Sequence, residues 1–263
     1  MRWWVYVIIF IVTQLIGGGI SVIAGFLGMA TQFLLVSSLL VANILAIVMA
    51  LLMRPAGLTW QRTIEGWTVP ERRHYTLKAM LMAPPAIFLV NIIGEWMPTP
   101  PDFVGSQTLF AIMNSSLGVI TVCMLGPIAE EMLFRAGVMG RKMQESEGFF
   151  PGSRRLIVLS ALLFSLVHMN PIQMPGAFFL GLLLGWAYLG SRSLLAPCAI
   201  HIFNNSLAVV IALIYNNPDV TLTELLGNKT TVAITVAIAT FWLLACFYLP
   251  LLPPPPKNLR RDS

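Results

Sequence analysis

Apolar residues run along this chain in long blocks separated by short polar stretches. A helix rising 1.5 Å per residue needs about 20 apolar residues to cross a hydrocarbon core of about 30 Å. Eight blocks approach that size: Trp3 to Ala24, Thr31 to Met53, Ala79 to Trp96, Leu109 to about Val138, Leu156 to Met169, Pro175 to Leu189, Leu194 to Tyr215, and Thr230 to Leu249. The fourth is long and interrupted by Gly126 and Pro127, while the fifth and sixth are short for full crossings. The pattern predicts an all-α polytopic membrane protein of about eight helices. It shows no internal repeat and no second domain, so residues 1–263 read as one membrane-embedded unit.

Composition agrees. Hydrophobic residues make up 57% of the chain and charged residues only 10%, against about 25% charged in soluble domains. The net charge of +5 does not indicate a nucleic-acid partner, because the basic residues sit between apolar runs, as juxtamembrane residues do. With the amino terminus inside and every block crossing, Lys229 alone falls outside, and 15 of the 16 basic residues fall inside. Those inside are Arg2; Arg54, Arg62, Arg72, Arg73 and Lys78; Arg135, Arg141, Lys142, Arg154 and Arg155; Arg192; and Lys257, Arg260 and Arg261. Both termini are therefore expected in the cytoplasm. The opening run from Trp3 is longer than a signal-peptide core and reads as a first span. Arg54 to Lys78, with Trp60 and Trp67, reads as an amphipathic stretch at the cytoplasmic interface. Prolines from Pro253 to Pro256 are expected to stop the last helix. Cys123, Cys198 and Cys246 lie in apolar blocks without metal-ligand spacing and read as core residues.

Charge at membrane depth costs a few kcal/mol or more and requires an explanation. Glu130 and Glu131 lie in the fourth block, with Arg135 one helical turn beyond Glu131 and able to neutralise it. Glu130 points about 100° away around the helix and needs a partner from another segment. Two histidines qualify: His168, closing the run that begins at Phe164, and His201, which shares a helical face with Asn205. Counted from the nearest basic rim, Glu130 lies roughly 17 Å deep, His168 roughly 20 Å and His201 roughly 14 Å. Three polar positions on three helices thus fall near one level.

In this order, Glu130-Glu131 with Arg135, Phe164 with His168, and His201 with Asn205 resemble the CAAX-protease and bacteriocin-processing group of intramembrane proteases, which includes the Ras-converting CAAX endopeptidase. The likeness covers roughly residues 126–205, and eight spans suit the family. It implies an endopeptidase in which Glu130 and His168 hold and activate water, Glu130 as general base, while His201 and Asn205 stabilise the oxyanion. Glu131, Arg135 and Phe164 would be structural support. It also implies a membrane-associated substrate, a prenylated CAAX-type protein or a leader peptide, met in the bilayer at a site open to the cytoplasm, in a prokaryotic cell membrane. The family has been described as metal-dependent as well, and Glu130, His168 and His201 are plausible ligands for a divalent ion such as zinc. The metal-free glutamate mechanism is the preferred expectation.

Other chemistries fit less well. No His-Glu-x-x-His or Gly-x-Ser-x-Gly occurs, and Asp102, Asp219 and Asp262 lie in loops or the tail. His74 sits in the basic loop and reads as solvated or lipid-facing, and Asn228-Lys229-Thr230 is a common chance match to a glycosylation acceptor. A proton-coupled transporter would use the same buried groups but calls for paired halves with broken helices, which the chain lacks. A silent membrane scaffold or immunity protein would not need all the motif residues intact. Gly181 and Gly185 form a GxxxG, the usual sign of close helix packing.

Overall fold

The computed structural model describes residues 2–28, 31–55, 58–96, 105–144, 151–171 and 173–248. The proline-rich tail, its basic residues, Asp102 and Asp262 lie outside the described residues. The described residues are all-helical: α1 Trp4–Phe26, α2 Thr31–Met53, α3 Trp60–Thr68, α4 Pro70–Glu95, α5 Gly105–Met113, α6 Ser116–Met143, α7 Ser153–Leu166, α8 Gln173–Ser191, α9 Leu195–Tyr215, α10 Leu222–Leu226 and α11 Lys229–Tyr248. Large apolar side chains face outward along the bundle, among them Phe26, Ile214 and Phe241. Such a surface is stable only where hydrocarbon covers it.

Seven helices among the described residues have the length and hydropathy to cross a membrane: α1, α2, α4, α6, α8, α9 and α11. The remaining block, expected from Leu156 to Met169, forms α7, whose 14 residues span only about 21 Å. Local chemistry stops it early. The last N–H groups of the segment turn to carbonyls three residues back, His168 to Ser165 and Met169 to Leu166. Met169 then adopts a left-handed φ of 48°, and Pro171 disfavours helix at the residue before it. His168 therefore sits on a chain reversal part-way along the bundle instead of inside a full crossing.

Small residues set the packing. A Cβ added at Gly181 would lie 3.0 Å from Ala161 Cα, and one at Gly185 would lie 3.2 Å from Ile157 Cγ2, so the GxxxG of α8 seats α7 against it. A Cβ at Gly137 would fall 2.5 Å from the Tyr6 ring, which lets α1 close on α6. Gly181→Leu is expected to lower the thermal midpoint in detergent by the equivalent of about 1–3 kcal/mol or more, the range for forced overpacking. It should also displace Phe164, whose ring lies 3.4 Å from the position of a Cβ at Gly181. Gly176→Ala, which would meet only Val90 Cγ1 at 3.5 Å, is the matched control. Equal melting of the two variants would contradict this packing.

The stretch expected from Arg54 to Lys78 divides between α3 and the first turns of α4, with Trp60, Ile64 and Trp67 of α3 exposed at helical spacing. Thr59 caps its first turn by accepting from the Arg62 N–H at 3.2 Å. Glu65 on the opposite side accepts from Gln61 and pairs with Arg72 of α4. Burial raises the Glu65 pKa, but the Gln61 and Arg72 contacts outweigh it and hold the carboxyl below its ordinary value.

Candidate active site

The acidic pair stands on α6, half of whose apolar window is buried, more than in any other span. This helix is a composite. It is α-helical at Ser116–Ile120 and Gly126–Glu131, π-helical at Thr121–Leu125 and Met132–Met139, and α-helical again from Gly140. In the first π segment the Gly126 N–H reaches back five residues to the Thr121 carbonyl. π segments inside α-helices are uncommon and concentrate at functional sites. Here they bracket Glu130 and Glu131.

Glu131 and Arg135 are both fully buried, with Arg135 Nε 3.1 Å from Glu131 Oε2. The contact is one of charge more than of a well-aligned hydrogen bond, since neither atom meets hydrogen-bond geometry. Arg135 also reaches Ser160 Oγ at 3.4 Å and lies over the Phe164 ring, 4.8 Å from its centre. Ser160 in turn donates to the Phe134 carbonyl at 3.0 Å, tying α7 to α6. Arg135, expected among the inside basic residues, is thus a buried ion-pair partner and contributes no loop charge.

The other oxygen of Glu131 bonds His201 Nδ1 at 3.0 Å. An ionised carboxylate can only accept, so the proton of this bond belongs to Nδ1. His201 Nε2 then faces Glu130 Oε2 at 3.7 Å, beyond direct hydrogen-bond distance. One imidazole on α9 therefore engages both glutamates of α6, and Glu130 has the partner from another helix that its orientation demanded. Glu131 and His201 are buried, whereas Glu130 retains 18% exposure and is the accessible member.

Phe164 organises the rest. Its ring meets His168 edge-on at 4.8 Å, His201 at 5.5 Å and Phe134 at 5.8 Å between centres. His168 Nδ1 lies 2.7 Å from the Phe164 carbonyl. A carbonyl has no proton to give, so Nδ1 donates and a neutral His168 keeps Nε2 as an acceptor. His168 is partly exposed. Asn205, one turn beyond His201, donates from Nδ2 to the Val122 carbonyl of the first π segment at 3.0 Å and accepts from Asn204 Nδ2 at 3.1 Å.

Six of the seven expected residues are joined by these contacts: Glu130, Glu131 and Arg135 on α6, Phe164 on α7, His168 just beyond it and His201 on α9, while Asn205 of α9 meets α6 at Val122. Ser160 was not anticipated; its signal was available, since Ser160, Phe164 and His168 recur every four residues on one face of α7. Among the described residues no three His, Cys, Asp or Glu side chains form a group able to hold a metal. The suggested set of Glu130, His168 and His201 is not such a group in this arrangement, in which Glu130 and His201 are 3.7 Å apart and His168 contacts Phe164.

Fold and site define a polytopic membrane protein with a buried carboxylate, imidazole and guanidinium cluster on α6 and α9, packed against Phe164 of α7. Residues 106–207, which include every residue of the cluster, match the family model described as type II CAAX prenyl endopeptidase Rce1-like. The membrane-embedded CAAX protease MroQ of Staphylococcus aureus (strain USA300) is 27% identical over 141 residues, which cover 51% of this chain and 53% of that protein. The aligned part is thus about half the length of this curated relative. No solved structure matches. Both matches are to CAAX proteases, and each covers only part of the chain.

Proposed function

We propose that this protein is an intramembrane endopeptidase that hydrolyses a peptide bond in a membrane-associated substrate, a lipidated CAAX-type protein or a leader peptide. The observation that carries this reading is the bridging of Glu130 and Glu131 by His201, which leaves Glu130 as the accessible carboxylate of the cluster.

In this mechanism Glu130 accepts a proton from water, and His168 Nε2 is the second acceptor that orients the same molecule. The resulting hydroxyl oxygen bonds to the scissile carbonyl carbon, whose π electrons move to its oxygen. In its doubly protonated form His201 donates from Nε2 to that oxyanion, while Glu131 accepts from Nδ1 and fixes the ring. Collapse restores the carbonyl and breaks the C–N bond, and the proton held by Glu130 passes to the departing amine. Preorganised donors in a water-poor site contribute several kcal/mol to such a step. In this reading the mouth opens toward the cytoplasm, on the side of Arg141 and Lys142 at the end of α6.

The test is cleavage of a prenylated peptide and a leader peptide by the purified protein in lipid nanodiscs, parent against Glu130→Gln. No step of the reaction is routed through a metal, so 1,10-phenanthroline is expected to leave the parent rate unchanged. Inactivation that added zinc reverses would instead favour Glu130, His168 and His201 as ligands.

A further inference from the structure

The Asn205 amide is spent on a backbone group that ordinary helix geometry would have satisfied. In an α-helix the Val122 carbonyl would accept from the N–H four residues on, at Gly126. The Gly126 N–H instead bonds Thr121. In the π register that this bond establishes, the next donor in line, five residues beyond Val122, is position 127. That position is Pro127, which has no N–H. Both backbone routes to the Val122 carbonyl are therefore closed, one by the register and one by the proline. Asn205 Nδ2 supplies the bond at 3.0 Å, while Asn204 holds its Oδ1.

We infer that Asn205 is a positioning residue that caps the Val122 carbonyl orphaned by Pro127 and so holds the wide turn that aims Glu130. The wide turn ends at Leu125, five residues before Glu130, and the α-helical segment between them transmits its rotation directly. His201, one turn earlier on α9, grips the far end of that segment through Glu131. Helix α9 thus fixes α6 at two points, a carbonyl before the glutamates and a carboxylate among them.

The inference rests on the proposed hydrolase reading only for its activity readout. It predicts a specific rescue, because Pro127→Ala returns an N–H to the place where one is missing. Asn205→Ala alone is expected to lower the thermal midpoint and to cut kcat by about ten- to a hundredfold, the scale on which a buried carbonyl loses its donor. In the Pro127→Ala background the same substitution should change midpoint and kcat by less than about threefold-equivalent, a coupling read from the four-protein cycle. Asn205→Leu, similar in size and without a donor, repeats the cycle if the alanine variant cannot be purified.

Additive losses of midpoint would overturn the cap. Coupled midpoints with additive losses of kcat would overturn the positioning role and make Asn205 a group that touches the reacting atoms. If Glu130→Gln cleaves like the parent, the hydrolase reading fails while the thermal cycle still decides the cap.

Discussion

Glutamine at position 130 is expected to lower kcat by about 10²- to 10⁴-fold, the usual contribution of a positioned general base, with the thermal midpoint nearly unchanged. The asymmetry follows from the surroundings of Glu130. It is the partly exposed carboxylate, 3.7 Å from His201 Nε2, and the amide keeps its shape and can still meet the imidazole. What the amide cannot do is take a proton from water. The neighbouring Glu131→Gln should behave in the opposite way, because Glu131 supports both Arg135 and His201. Its loss of activity should come with a marked loss of stability. Parallel measurements of kcat and melting on the two variants separate base from buttress, and a Glu130→Gln protein as active as the parent would end the proposal.

The largest stability effect is expected from Arg135→Met. Both Arg135 and Glu131 are fully buried, and removing one member of such a pair strands the other charge, at a cost of about 3–5 kcal/mol. His201 Nδ1 still donates to Glu131, which places the loss toward the lower part of that range. The double variant Glu131→Gln with Arg135→Met removes both charges and should regain most of the lost midpoint. It should not regain activity, since His201 loses its anionic anchor. Melting of Arg135→Met at the parent temperature would show that the pair contributes nothing to the fold.

Much of this arrangement was legible in the sequence. Apolar block length marked seven spans, because hydrocarbon thickness imposes it without reference to tertiary contacts. It failed for α7, where the run of apolar residues continues past the point at which Met169 turns left-handed and Pro171 blocks further helix. The Glu131–Arg135 pair followed from four-residue spacing, and the demand of Glu130 for a partner on another helix followed from its rotation. Which histidine answered was not readable: His201 faces Glu130 at 3.7 Å, and His168 contacts Phe164. The depth estimate placed both imidazoles near the carboxylates but carried no azimuth. The π segments were invisible for a related reason, since they depend on where α9 and α1 press on α6, as at Gly137 beneath Tyr6.

Those wide turns also bear on how related chains are to be compared. A π segment carries one residue more than the α-helical turn it replaces, so Thr121–Leu125 acts as a single-residue insertion within a hydrophobic span. A homologue lacking that residue would present everything on the amino-terminal side of Gly126 rotated by about 100° relative to the glutamates. Gaps in the middle of a transmembrane segment, normally rejected when sequences are aligned, are therefore physically sensible at this place, and counting heptads through it would match the wrong faces.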